Sequence, residues 1–223
     1  MSMTNVIFTD FKVIGLKEGW ENFKGPLFFS LLGAEPEGHP PIKVEVICYE
    51  EVKKQMKMFK VRNGSRIVAS AIWQTYKKQR KTVNSFRVTD LSLMPLIEAD
   101  KDLKQRSTAN VTFVDFKLAG FTGISENQSK TYITLEEAIP LKENPPINVL
   151  CVAFEDILKQ MKNLKVKNGS RLIATARWQT FIKDGEIKDS FKITNLSLMP
   201  VKAVKIVQKP KVEVKNDNGF DLM

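Results

Sequence analysis

Apolar and polar residues alternate along Ile42-Lys43-Val44-Glu45-Val46-Ile47-Cys48-Tyr49, so Ile42, Val44, Val46 and Cys48 face one way and Lys43, Glu45, Ile47 and Tyr49 the other. Period two predicts a half-buried strand. The period then changes. Val52, Met56 and Phe59 stand at i, i+4 and i+7, one helical stripe over about two turns. Asn63-Gly64 follows a helix and therefore reads as the helix exit rather than as a hairpin turn. From Ile67 the period is two again. Ile67, Ala69, Ala71, Trp73 and Thr75 form an apolar set that predicts core, and Val68, Ser70, Ile72, Gln74 and Tyr76 form a mixed set that faces solvent or ligand. Residues 5–15, Leu27 to Leu32 and Ser85 to Leu93 predict three more strands, the last ended by Pro95.

The whole pattern recurs. Asn63-Gly64-Ser65-Arg66 reappears as Asn168-Gly169-Ser170-Arg171, an offset of 168 − 63 = 105 that carries without a gap from Asn5/Asn110 to Pro95/Pro200. Of those 91 paired positions 38 are identical, so the chain is a duplicated domain and each half tests the reading of the other. The helical stripe returns as Ile157, Met161 and Leu164, and the inner face of the fourth strand as Leu172, Ala174, Ala176, Trp178 and Thr180. Residues 16–41 are the least alike, apart from Pro40-Pro41 and Pro145-Pro146; there the second strand of the second half reads as Tyr132 to Glu136. The expected division is a first domain over 1–96, a charged linker over 97–109, a second domain over 110–200 and an extension over 201–223. Val201 to Lys215 alternates apolar residues with Lys and reads as either an extra strand or an extended tail.

A length of 223 residues suits two domains of about 100 residues. The net charge of +10 is spread over both repeats, which favours a polyanionic partner or surface, with a plain soluble basic protein as the other reading. No apolar run spans a membrane and no signal pattern opens the chain, so a cytoplasmic protein is expected. Cys48 pairs with Ala153 in the repeat and Cys151 with Val46, which excludes a disulfide or metal framework kept through the duplication. Enzymatic chemistry finds little support. His39 becomes Asn144 in the second repeat, and no Cys/His cluster, phosphate-cradling Gly loop or nucleophile elbow is present, so no catalytic residue, metal or cofactor is expected. Glu50/Glu51 and Glu155/Asp156 begin the helices, where the dipole favours them.

Three strands, a helix and two strands is the order of the OB-fold, so the expected architecture is mainly β, two tandem five-stranded Greek-key barrels with one helix between strands three and four. Some β-sandwich is the rival. Val149-Leu150-Cys151-Val152-Ala153-Phe154-Glu155, a helix, and Val166-Lys167-Asn168-Gly169-Ser170-Arg171-Leu172 resemble bacterial single-stranded DNA-binding proteins. That family has an apolar strand ending in Phe, a helix, a Lys-Gly-Ser-like turn and a strand rich in basic and aromatic residues. The resemblance covers residues 42–94 and 147–199. It departs at Lys43 and Asn148, where the family begins its third strand with Trp, and at the terminus, which does not end in Pro-Phe.

The resemblance implies nucleic-acid contacts at Tyr49 and Phe154 and along the outer face of the fourth strand, at Ile72, Gln74, Tyr76 and Lys78 and at Arg177, Gln179, Phe181 and Lys183. Arg66, Arg87, Arg171 and Lys192, cations on strands four and five, join the set. The loop between those strands holds Lys77, Lys78, Arg80 and Lys81 in the first half but is close to neutral in the second, so the first half should make more phosphate contacts. Trp73 and Trp178 share the parity of the core alanines and are expected to pack inside. Tyr49, Phe154, Tyr76 and Phe181 are either stacking platforms or plain surface aromatics. The function implied is coating of single-stranded DNA without strong sequence preference, with pairing of two chains to give four barrels and contacts to replication or recombination proteins. A replication adaptor like the primosomal proteins and an RNA-binding OB protein are the alternatives.

Overall fold

The structure is a computed structural model and describes residues 4–33, 40–78, 81–94, 109–121, 129–138 and 145–199. The chain is mainly β. Its first half runs β1 (Thr4–Ile14), a 3-10 turn (Trp20–Asn22), β2 (Leu27–Leu32), β3 (Lys43–Cys48), α1 (Glu50–Met58), β4 (Arg66–Lys78) and β5 (Lys81–Leu93). The second runs β6 (Asn110–Gly120), β7 (Lys130–Glu137), β8 (Asn148–Phe154), α2 (Glu155–Asn163), β9 (Arg171–Lys183) and β10 (Glu186–Leu198). Residues 97–108 of the predicted 97–109 linker, His39 and the predicted extension over 201–223 lie outside the described residues, while Ala109, the last linker residue, is buried.

Within the first half β1 pairs antiparallel with β2 and β4, β2 with β3 and β4 with β5, while β3 and β5 are parallel. The order β1-β2-β3-β5-β4 therefore returns to β1, and β6-β7-β8-β10-β9 closes in the same way. A bulge lets one strand serve two neighbours. The register of β1 against β4 shifts between Thr9 and Phe11 because Asp10 takes φ 67, and Asp115 does the same in β6 at φ 64. Asp is one of the few residues that tolerate this conformation. Each is gripped by the Arg that opens the fourth strand: Arg66 Nε donates to Asp10 Oδ1 at 2.6 Å and Arg171 Nε to Asp115 Oδ1 at 2.7 Å.

The parity predicted for β3 holds, with Ile42, Val44, Val46 and Cys48 all buried. Around them the phenylalanines pack edge to face in the same way twice, Phe8 against Phe11 and Phe86 at 5.4 Å, Phe113 against Phe116 and Phe191 at 5.4 Å. The helices end differently from the expectation. Lys60, at φ 51, donates to Lys57 O while Val61 donates to Met56 O, a Schellman stop that precedes Asn63. Asn63-Gly64 instead ties β4 to the end of β1: Gly64 N donates to Val13 O, and the Asn63 side chain takes Leu16 N–H and gives to Leu16 O. A second difference lies in the hairpins. Residues read as a loop between strands four and five belong to the strands, since Lys78 pairs with Lys81 and Lys183 with Glu186. The second hairpin closes through Asp184 (φ 55) and Gly185 (φ 76), the two positive values that a type I′ turn requires.

The two halves join along β1 and β6, which pair antiparallel from Asn5↔Val114 to Thr9↔Asn110. Ile7 pairs with Thr112, its own counterpart at offset 105, so a pseudo-two-fold axis passes through that pair. The other cross-links obey the same symmetry. Thr75 Oγ1 donates to Pro145 O, and Thr180 Oγ1 donates to Pro40 O. Pro40 and Pro145, which close the most diverged stretch of each repeat, are thus two further points at which the halves are joined.

Candidate nucleic-acid interface

Residues of outward parity line up in register across the strands of each half. In the first, Phe28 on β2 sits opposite Ile47 on β3, Ile47 beside Arg87 on β5, and Arg87 opposite Ile72 on β4. In the second, Tyr132 on β7 sits opposite Val152 on β8, Val152 beside Lys192 on β10, and Lys192 opposite Arg177 on β9. Each row thus brings an aromatic, an aliphatic and a cation together on one surface.

Phe23 apart, the exposed aromatics among the described residues fall into three equivalent pairs. Phe28 and Tyr132 are 68% and 58% exposed, Tyr49 follows β3 directly as the N-cap of α1 while Phe154 ends β8, and Tyr76 and Phe181 lie near the tips of the long hairpins. Lys192 Nζ stands 4.4 Å from the centre of the Phe154 ring, a cation over an aromatic face that remains open to solvent.

Other expected contacts divide by environment. Arg177 is exposed, Gln74 is exposed, and Gln179, Arg87 and Lys192 are half-buried on the same face. Ile72 faces outward by parity but is 4% exposed, flanked in register by Asn5 and Arg87, and presents little surface to a ligand. Arg66 and Arg171 are committed to the bulge aspartates, and the Asp115 hydrogen bond raises the Arg171 pKa. Lys183 is exposed beside the Lys188–Glu186 ion pair. Arg80 and the side chains of Lys77, Lys78 and Lys81 lie outside the described residues.

Phe28 and Tyr132 were not anticipated as site residues. The registers explain why. Phe28 opposes Ile47 and Tyr132 opposes Val152, and Ile47 and Val152 are counterparts, so the offset here is 132 − 28 = 104 rather than 105. A one-residue shift hidden in the diverged stretch had set Phe28 against Ile133 and concealed the shared aromatic. Comparing the two strands by burial pattern, not by a fixed offset, is the signal that recovers it.

Trp73 and Trp178 pack against the core, half-buried, as their parity predicts. Trp73 touches Phe86 at 5.1 Å and also Phe113 of the other half at 6.4 Å, and Trp178 touches Phe191 at 5.0 Å and Phe11 at 6.4 Å. Cys48 and Cys151 are buried free thiols. Burial pushes the Cys48 thiol up to about 12 and raises that of Cys151 as well. Among the described residues no cluster of His, Cys, Asp and Glu could hold a metal ion, and no helix is long and apolar enough to cross a membrane.

No protein-family model matches the sequence, and no curated protein does. Among solved structures the chain is similar to the wild-type single-stranded DNA binding protein from Thermus aquaticus, at 9% identity and a TM-score of 0.47 over 88% of this chain and 93% of that one. A deletion mutant of the same protein matches at 11% identity and a TM-score of 0.45, over 89% and 96% of the two chains. The mitochondrial single-stranded DNA binding protein from S. cerevisiae matches at 17% identity and a TM-score of 0.31, over 42% of this chain and 97% of that one.

Proposed function

We propose that the chain is a pair of tandem OB-fold barrels that binds single-stranded DNA largely without regard to sequence. One observation carries the reading. Three exposed positions, 28/132, 49/154 and 76/181, are aromatic in both halves, yet at none of them is the residue identical. Drift that exchanges Phe and Tyr but retains an exposed ring retains a stacking surface, which any base can use. Two of the three pairs lie on, or directly after, strands two and three, the face through which OB-folds take oligonucleotides. Cations beside the rings and the net charge of +10 supply the phosphate contacts. The reading is of a binding protein rather than an enzyme, and pairing of two chains would present four barrels to one strand.

Fluorescence anisotropy of a labelled dT oligonucleotide at several salt concentrations tests it. Tight binding that weakens steeply with salt, and for which duplex competes poorly, is the expected result. Unchanged anisotropy at low salt would sink the proposal and leave the barrels as a protein-interaction platform. An RNA competitor of equal length separates the DNA reading from the RNA one, because discrimination rests on the 2′-hydroxyl.

A further inference from the structure

Where the halves meet, they leave a cavity of about 480 Å³ on the pseudo-two-fold axis. Its floor is Phe8 and Phe113 on the paired strands β1 and β6, and Trp73 and Trp178 stand in its walls, one from each half. Both indole N–H groups are already used. Trp73 Nε1 donates to Asn84 Oδ1 at 3.1 Å and Trp178 Nε1 to Asp189 Oδ1 at 2.8 Å. The rings are therefore fixed at their edges, and between them lie the side chains of Val6, Phe8, Val111 and Phe113, with the polar lining residues Asn84, Asn148 and Asp189 beside them. The size falls in the range of about 300–1,000 Å³ typical of small-molecule sites.

The rim connects this cavity to the outer faces described above. Lys43 and Glu45, the outward residues that open β3, line it from one side, and Asn148 and Leu150, which open β8, line it from the other. Followed outward from the axis, one track reads Lys43, Glu45, Ile47, Tyr49 and the other Asn148, Leu150, Val152, Phe154. The opening residues of both tracks therefore meet at the mouth. Two carboxylates are positioned there. Glu45 is held ionised by hydrogen bonds from Lys43 and Ser30, and Asp189 anchors Trp178. Both carboxylates are engaged by their neighbours, Glu45 by Lys43 and Ser30 and Asp189 by the Trp178 indole, so the interior suits a flat neutral group, with Asn84 and Asn148 able to meet its polar edge.

We infer that this cavity receives an unstacked nucleobase from a single strand as it crosses from one half to the other, while the sugar-phosphate backbone stays outside near Lys43. The inference rests on the single-strand reading and adds a subsite to it.

The experiment follows anisotropy and intrinsic tryptophan emission together, with labelled dT strands of about 8 and about 30 nucleotides, given OB site sizes of about 4–16 nucleotides. Trp20, 6% exposed and absent from the cavity lining, supplies a constant background. The short strand is expected to bind with little change in emission. The long strand should quench emission and protect it from acrylamide. Trp178→Phe should remove much of that quench and weaken the long strand about 5-fold or more, leaving the short strand unaffected. A long strand that raises anisotropy without altering emission or acrylamide access overturns the subsite and leaves the single-strand reading standing. Flat anisotropy at both lengths overturns that reading itself. Circular dichroism checks the variant, and if it does not fold, the length dependence and acrylamide protection of the wild-type chain decide.

Discussion

Phe28 and Tyr132 expose most of a large ring to water, a cost that folding does not require and that binding can recover. Replacing either with Ala should therefore weaken dT binding by about 1–3 kcal/mol and leave the unfolding midpoint nearly unchanged. Anisotropy and urea melts on the same samples test both halves of that statement. Gly33 presents the opposite case. A Cβ built there would stand 2.9 Å from Ala109 Cβ and 3.1 Å from Ile42 Cβ, at a seam between the two halves. Gly33→Ala should cost about 1–3 kcal/mol in a urea melt, with oligonucleotide affinity little changed. The thiols make a third prediction. Protonated and enclosed, Cys48 and Cys151 should resist a thiol reagent at neutral pH in the native protein and react at once in denaturant. At this scale parity made the interior legible: both cysteines could be placed inside, and Trp73 and Trp178 on the core-facing side, from alternation alone. What alternation does not report is the partner. Arg66 and Arg171 read as nucleic-acid contacts because nothing local marks Asp10 and Asp115, more than fifty positions away, as the residues they hold.

Strands β3, β4, β8 and β9 were legible because each buries one face, which imposes period two on the sequence. The pair β2 and β7 was located but misaligned, since a shift of one residue in a diverged stretch leaves no mark until hydrogen-bond register exposes it. Hairpin tips were underestimated for a different reason: charged residues on a projecting two-stranded ribbon need no core, so hydropathy shows a loop where the backbone is still paired. Lys53 shows how one half was altered without its twin. Buried in α1, it donates to Phe23 O at 2.5 Å and to Glu50 at 2.9 Å, stapling the segment before β2, whereas its counterpart is Leu158. Lys53→Leu copies the second half. Stability should change by no more than about 1–2 kcal/mol, since an apolar replacement for a buried charge is often tolerated and Glu50 stays in water. Amide exchange over residues 21–26 should nevertheless rise. Unaltered exchange there would show that the segment is held by Trp20 packing alone.

The duplication was plain in the sequence, but how the copies fit together was not, because antiparallel pairing of two first strands needs no special residue. In the folded chain one hydrophobic core runs through both halves and the sheet is continuous across β1 and β6. Thermal unfolding should therefore be a single transition. Thr75→Val and Thr180→Val, which remove the hydroxyls donated to Pro145 and Pro40, should lower it by roughly 1 kcal/mol each and more together if the two clasps are coupled. Calorimetry would read this directly, and two resolved transitions in the wild-type protein would contradict it. The β1–β6 pairing also has an evolutionary consequence. Because it is self-complementary, a single copy of the domain could assemble with itself through the same surface. Joining two copies on one chain replaces that encounter by an intramolecular one, at an effective concentration on the order of millimolar. Assembly then tolerates weaker contacts, and each copy is released from having to match itself. Lys77 to Lys81 against Lys183 to Lys188, and Lys53 against Leu158, are the asymmetries that such freedom permits.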